Sequence, residues 1–288
     1  MGLREVQTFL STYMRDQDLR RRYRTGESDV LEDGMRLEAE DRRLIGRIEF
    51  DKLDERAEGI LSERLGRTTA IFTLFLEHLA RYADVERVYR DFDRQWKSQW
   101  WQRSREIRRF EAFAFEYVVA NELPDYLIDL SRLCAQATLV AESPKVWTGV
   151  PGASVTGHTV RGNDRVELRG PYEVLDLRHD VVRIMDDPNG YGAVPGPIAT
   201  RVLVQRDWQQ HKRSRIVRLS DEPVLRALTE GSGTIQELGG RLPELPYSAL
   251  YSAVADLYRE QIVHLVNAPE LDGAPTPIPT TPAVNEGR

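Results

Sequence analysis

Two β-rich runs near the end of the chain constrain its fold most strongly. Valines alternate with other residues along 202–205, and apolar residues alternate with arginine along 215–219. A polar tip at 207–213 separates the two runs. Alternation with a period of two is typical of strands with one buried face, so the sequence predicts a β-hairpin between Thr200 and Leu219.

Three helical patterns follow this hairpin. The first covers 222–230 and stops at Gly231, the second covers 234–242 after an N-cap threonine, and the third covers 247–261. The third pattern places apolar residues at steps of three and four, which gives it one apolar and aromatic face. Strands followed by three short helices predict a winged helix-turn-helix module that ends near Val266.

The charge of this module bears on DNA binding. From Val160 to Val266 the sequence has 14 Lys plus Arg and 15 Asp plus Glu, a formal charge of −1. The third helical pattern has Arg259 against Asp256 and Glu260, whereas a helix that lies along phosphates needs an excess of positive charge. Cations concentrate in the hairpin instead, where they indicate either a solvated strand face or a surface for an acidic partner.

Composition places the chain among soluble proteins with a sizeable core. It has 288 residues, of which 41% are hydrophobic and 30% charged, with a net charge of −6. The longest apolar run, near 70–76, is too short to span a bilayer, and the first residues have no signal-peptide core. Cys134 is the single cysteine, so no internal disulfide forms. These features predict a cytoplasmic protein with no membrane partner.

The first half of the chain has the helical period throughout, and Gly, Pro and β-branched residues replace that period between Ser143 and Gly162. The sequence therefore predicts an α+β protein in three parts. These are an all-α partner-docking domain at 1–143, a β-sheet plus winged helix-turn-helix domain at 144–266, and a Pro-rich disordered tail at 267–288.

Signatures of catalysis or metal binding are absent from the sequence. The five histidines are scattered, without the spacing of a zinc or iron site. There is no nucleophile elbow, phosphate loop or dinucleotide fingerprint, and Cys134 lies among apolar residues typical of a core. No residue is therefore predicted to be catalytic or to bind a metal, and the chain alone is predicted to hold no stoichiometric iron.

The densest aromatic cluster begins at Trp96, Trp100 and Trp101 and continues through three phenylalanines. Packing within the core explains such a cluster in most proteins. Aromatic side chains also anchor interfaces, so these three tryptophans are the predicted partner-docking residues.

Several segments resemble a known family. LREVQTFL, the stretch from Asp51 to Tyr82, and PDYLIDLSRLCAQA resemble the helical domain of the partner proteins that accompany multinuclear non-heme iron-dependent oxidases. VELRGPYEVLDLRHDVVRIMDD and TRVLVQRDWQQHKRSRIVRLSDEPVLRALTEGSGTIQEL are similar to the second domain of those partners. That domain resembles the precursor-recognition module of peptide-modifying systems. The likeness spans about Leu3 to Val266 and consists of apolar spacing and turn positions.

The resemblance implies a division of labour between two chains. A separate oxidase subunit would hold the iron, while this chain would carry no cofactor, bind the leader of a ribosomally synthesised precursor peptide and support the oxidase. Nucleic acid is not an expected partner.

If the second strand of the hairpin lies at a sheet edge, its backbone can receive the leader as an added strand. The third helix would then wall the groove beside it. The predicted peptide-binding residues are Arg215, Ile216, Val217, Arg218, Leu219, Leu250, Val254 and Leu257.

Three alternatives stay open at this point. The module would also suit a winged-helix DNA-binding regulator, which would shift an operator-like DNA fragment. The N-terminal helices also resemble the small subunit of ring-opening extradiol dioxygenases, although that family does not explain the C-terminal module. A stand-alone enzyme would have to assemble its ligands from distant residues, and iron would then co-purify with this chain alone.

Overall fold

The structure is a computed structural model that describes residues 3–27, 37–96, 102–143, 160–186, 194–210 and 212–266. Within these ranges the protein combines many helices with two three-stranded antiparallel sheets, which confirms the α+β class. The predicted tail at 267–288 lies outside the described residues, as do Trp100 and Trp101.

Every element described between Leu3 and Glu142 is a helix. Asp16 and Asp84 are N-caps, since each carboxylate accepts hydrogen bonds from two amides of the first turn of the helix that follows it. The helices are α1 (Leu3–Arg15), α2 (Gln17–Arg24), α3 (Ala39–Ile45), α4 (Phe50–Ile71), α5 (Thr73–Leu79), α6 (Val85–Gln95), α7 (Arg103–Ala120) and α8 (Tyr126–Glu142).

The remaining described elements alternate between short strands and helices. Thr234 forms a capping box with Glu237 at the start of α11, as its position in the sequence predicts. In chain order the elements are β1 (Arg165–Leu168), β2 (Tyr172–Leu177), α9 (Val182–Asp186), β3 (Thr200–Arg206), β4 (Ser214–Arg218), α10 (Pro223–Glu230), β5 (Gly233–Thr234), α11 (Ile235–Arg241), α12 (Tyr247–Arg259) and β6 (Val263–Leu265).

The chain divides into two compact units. The helical unit contains the described residues of 1–139 and 177–199, and the mixed unit contains those of 140–176 and 200–288. The predicted boundary after residue 143 is close to the first division, but 177–199 belongs with the helices rather than with the strands around it.

A buried carboxylate in the helical unit explains where residues 177–199 belong. Oδ2 of Asp129, on α8, accepts hydrogen bonds from the backbone N–H groups of Arg178 and His179 at 3.0 and 2.9 Å. The same oxygen lies 2.8 Å from Nδ1 of His179. Three contacts on one buried oxygen hold the segment after β2 against α8.

Two groups of aromatic rings fill the helical unit. Phe9, Tyr13, Tyr23 and Phe50 pack the first helices together at ring-centroid distances between 4.5 and 6.4 Å. A second group joins α4 to α7 and consists of Phe72, Phe75, Tyr89, Phe92, Phe110 and Phe113. Rings of this size bury much apolar area, so these two groups anchor the packing of the unit.

The mixed unit has two sheets. One has the strand order β5-β1-β6, and the other has the order β2-β3-β4. Gln205 on β3 is buried, and its side-chain amide donates to the carbonyl oxygens of Arg169 and Ile262 at 2.5 and 2.7 Å. These bonds connect β3 to the end of β1 and to the residue before β6. The core of this unit includes Leu203, Leu219 and the buried faces of α10, α11 and α12.

Candidate functional site

The candidate site is the free edge of β4. This strand pairs with β3 in an antiparallel register that runs from Val202 opposite Arg218 to Arg206 opposite Ser214. Among the described strands, none pairs with the other side of β4. A free edge presents backbone N–H and C=O groups that can accept another strand.

The hydrogen bonds at both ends of the hairpin show which groups face this edge. Leu219 N–H donates to Arg201 O, and Asp207 N–H donates to Arg213 O, each at 2.9 Å. Hydrogen-bonded and non-bonded pairs alternate in an antiparallel ladder, so the pairs Leu203–Val217 and Gln205–Arg215 are also of the bonded kind. The N–H and C=O of Ile216 and the N–H of Arg218 therefore point away from β3, toward the open edge. The carbonyl of Arg218 accepts a hydrogen bond from Asp221 N–H at 3.2 Å.

The side chains of β4 divide between two faces. Val217 packs against the core of the mixed unit, and Leu219, one residue beyond the strand, is fully buried in it. Ile216 and Arg218 belong to the opposite face because side chains alternate along a strand. All five residues of β4 are half-buried, so its edge lies close to the protein surface without projecting into solvent.

The predicted groove residues of α12 lie deeper than an open groove would place them. Leu250 and Val254 are completely buried and Leu257 is 8% exposed, and all three belong to the core. These three side chains pack α12 against the core of the mixed unit. The half-buried Tyr251, Ala255 and Tyr258 lie beside this buried face, and Tyr247, Ser252 and Asp256 are exposed.

One ion pair joins β4 to the end of α12. Nη1 of Arg215 contacts Oε2 of Glu260, the residue that follows the helix. Arg215 is on the same face of β4 as Val217, so this pair lies on the side of the strand that faces the core. The Arg215–Glu260 ion pair therefore joins β4 to the end of α12, in addition to the apolar packing of Val217 against the core.

The hairpin tip is held by stacked cations. The guanidinium of Arg169 lies 4.7 Å from the ring centroid of Trp208 and donates to Gln261 at 3.2 Å. Burial lowers the pKa of Arg169, and nearby Tyr258 opposes that shift. Arg206 is buried, lies 5.9 Å from the same indole and donates to Ser143 O. The tip is therefore attached to the end of β1 and to the end of α12.

These contacts reduce the positive charge that the hairpin offers to a partner. Arg201 pairs with Asp176 at 3.4 Å, Arg218 lies 3.9 Å from Asp221, and Arg215 is engaged by Glu260. The arginines of the hairpin are thus largely used within the protein. Backbone groups, rather than a cationic patch, are the main feature that the edge presents.

Trp96, the described member of the predicted docking cluster, lies just beyond α6 and is half-buried. Its carbonyl accepts a hydrogen bond from Arg64 at 2.8 Å, and Arg109 lies 5.2 Å from its ring centroid. This residue packs within the helical unit, and its indole nitrogen is buried.

An exposed apolar pair on α7 escaped the sequence argument. Phe115 and Val119 are 51% and 55% exposed and lie one turn apart, on the same side of the helix. The buried stripe of α7 contains Ile107, Phe110, Ala114 and Val118. Phe115 does not fall on the helical period of that stripe, and this offset is the sequence signal for its exposure. Phe113, two residues earlier, is buried, so grouping the two phenylalanines together hides the difference.

The described residues lack both a metal-binding cluster and a membrane-spanning helix. They include no group of three or more His, Cys, Asp or Glu side chains arranged to hold a metal ion. No described helix combines the length and the apolar character needed to cross a bilayer.

The chain was compared with known families and proteins. No protein-family model matches it, and no curated protein matches it either. Function is therefore inferred from the geometry of β4, of α12 and of the helical unit.

Proposed function

We propose that this chain is an accessory subunit that binds the leader of a ribosomally synthesised precursor peptide and supports a separate iron-dependent oxidase. The observation that carries the proposal is the free edge of β4, with both backbone groups of Ile216 and the N–H of Arg218 directed outward. An extended peptide that pairs with this edge gains backbone hydrogen bonds, and its alternate side chains meet the surface beside α12.

The other edge of the same sheet suits a peptide less well. β2 carries exposed Tyr172, Glu173 and Asp176, and Asp176 pairs with Arg201 of β3. Exposed charges along an edge strand oppose the addition of another strand. The residues of β4 are half-buried and its two arginines are engaged by Glu260 and Asp221, so β4 is the preferred edge for the leader.

A winged helix-turn-helix is our interpretation of the mixed unit, and its third helix favours a peptide over DNA. The order from β1 through α10, α11 and α12 to β6 is consistent with such a module. On α12, Arg259 pairs with Asp256 at 2.6 Å, and Glu260 follows the helix. A helix with this charge has no excess of cations to lay along phosphates.

The helical unit is the proposed contact with the oxidase. Phe115 and Val119 give it an exposed apolar pair, and Trp96 is half-buried. Aromatic residues at the centre of an interface contribute much of the binding energy. In this arrangement the oxidase subunit holds the iron, while β4 holds the peptide.

Ile216→Pro tests the peptide site. Proline removes the N–H that faces the open edge, so the affinity for a leader should fall about 10- to 100-fold, as expected for a lost backbone bond and an unpaired peptide carbonyl. Folding should persist, because proline is tolerated in an edge strand where its missing N–H faces solvent. Isothermal titration with synthetic leaders, taken from the short reading frames beside the gene, gives the affinity.

Ile216→Ala is the matched control. It removes most of the same side chain but keeps the N–H, so its affinity should stay much closer to that of the unchanged protein. Equal losses in the two variants would mean that the side chain, not the backbone edge, binds the peptide. An unchanged affinity in folded Ile216→Pro would exclude strand addition at β4.

The docking surface is tested with the double change Phe115→Ser and Val119→Ser. Both side chains are more than half exposed, so stability should change little, whereas co-purification of the full chain with the co-expressed oxidase should drop about tenfold or more. Tyr172→Ser, at an exposed aromatic residue of the mixed unit, is the control. Retention of the oxidase by the double variant would place the interface elsewhere.

A further inference from the structure

A cavity in the helical unit is independent of the peptide edge. It measures about 490 Å³ and lies between α1, α4 and α7. Cavities that hold small organic ligands have volumes of roughly 300–1,000 Å³. The space is therefore large enough for a ligand of about ten or more heavy atoms.

The floor of the cavity is apolar. Phe72, Ile107 and Phe110 line it and are each about 1% exposed, while Ile60 and Ile71 are half-buried at its sides. A hydrocarbon chain or ring placed against these residues would leave water, which favours binding in proportion to the area covered.

Arginines dominate the charged part of the lining. Arg15, Arg56, Arg67 and Arg103 are exposed at the cavity, and Arg64 is buried in its wall. Among the described lining residues, five arginines stand against Glu63 and Glu106, a formal charge of +3. Arg64 contacts Glu106 and Arg67 contacts Glu63, so the excess positive charge of the lining comes from Arg15, Arg56 and Arg103.

We propose that this cavity binds a small amphipathic anion, with an apolar body against the floor and a carboxylate or other anionic head toward the arginines. The positive charge of the lining favours an anionic head group, and the apolar floor favours a hydrophobic body. A cation of the same shape would meet the excess of arginine and lose affinity. The site makes no use of β4, so the test of one proposal does not decide the other.

Three probes with one apolar body and different heads test the charge selection. Octanoate is anionic, 1-octanol is neutral and octylammonium is cationic. Titration of the full chain, followed by the amide chemical shifts of α4 and α7, should give an affinity for octanoate about 5- to 10-fold above that of octanol. Octylammonium should bind more weakly than octanol. Equal binding of all three, or no binding of octanoate, would overturn the proposal.

Matched arginine variants locate the head group. Arg56→Gln should weaken octanoate about two- to threefold and leave octanol unchanged, because one partly screened charge is lost. Arg90→Gln is the control, since Arg90 is an exposed arginine of α6 that does not line this cavity. A similar loss in Arg90→Gln would overturn the assignment of the head.

Ile60→Trp tests the location of the apolar body. The larger ring enters the space from the side of the cavity, so both octanoate and octanol should lose affinity about tenfold or more. Urea unfolding of the same variant shows whether the helical unit keeps its stability. Full affinity for both probes in a folded Ile60→Trp protein would mean that they bind elsewhere.

Discussion

Arg64→Ala is expected to lower the free energy of unfolding by about 3–5 kcal/mol, the range for breaking a buried ion pair by removing one partner. Arg64 is 5% exposed and contacts the carboxylates of Asp93 and Glu106, while its guanidinium lies 4.5 Å from the ring centroid of Phe92. The loss is large because both carboxylates stay buried after their cation is gone.

Glu106 depends on this arginine most directly. Its Oε1 accepts from Arg64, while Oε2 is buried and has no hydrogen-bond partner among the described residues. Asp93 keeps one bond, from the side-chain amide of Gln17 at 2.8 Å. The uncompensated charge in the variant therefore falls mainly on Glu106, and Glu106→Gln introduced together with Arg64→Ala should recover part of the stability.

Urea unfolding followed by circular dichroism measures these changes. Arg90→Ala is the control, because the exposed pair of Arg90 and Glu86 should contribute only about 0.3–0.5 kcal/mol. A cost below about 1 kcal/mol for Arg64→Ala would show that the buried cluster is open to solvent or easily rearranged.

Local sequence patterns predicted the position of most elements in the mixed unit. The alternating runs correspond to β3 and β4, and the three helical patterns correspond to α10, α11 and α12. Each pattern involves only residues that are close in sequence, so it can be recognised without knowledge of the tertiary fold. The capping box at Thr234 is a signal of the same local kind.

Breaks in helices were harder to place. Gly66 is the kind of residue that weakens a helix, but α4 continues through it to Ile71. The interruption comes at Phe72, whose ring contacts those of Phe75 and Phe110. Glycine costs a helix only about 1 kcal/mol, which tertiary packing can outweigh. The position of a break set by distant rings leaves little trace in the local sequence.

Long-range contacts also decided which unit residues 177–199 join. The sequence gives Asp129 no visible partner, since Arg178 and His179 follow it by about 50 positions. In the structure its carboxylate binds both of their amides and so attaches this segment to α8. Composition and periodicity carry no information on such a pairing.

The burial of the predicted groove residues is a third feature that local sequence patterns do not determine. Steps of three and four show that Leu250, Val254 and Leu257 share a face of α12, but the same pattern describes a core face and a groove face equally well. The structure places all three in the core. Side chains that could touch a peptide on α12 are instead the half-buried ones beside that face, such as Tyr258.

The orientation of backbone groups in β4 is the least visible feature in the sequence, and it governs the second large effect. Val217 and Ile216 are adjacent, have similar β-branched side chains and are both half-buried. Their N–H groups face opposite sides of the strand: that of Val217 faces β3, and that of Ile216 faces the open edge. Proline should therefore have very different consequences at the two positions.

Val217→Pro is expected to destabilise the mixed unit by about 2–4 kcal/mol, because a carbonyl of β3 loses its partner and core packing is disturbed. It removes a ladder bond to β3 and replaces a side chain that packs against the core, whereas Ile216→Pro loses no bond within the sheet. Urea unfolding of both variants without peptide measures the difference, and Val217→Ala separates the loss of the side chain from the loss of the N–H. If Ile216→Pro proved as unstable as Val217→Pro, the outward direction of the Ile216 amide would be wrong, and with it the strand-addition site at β4.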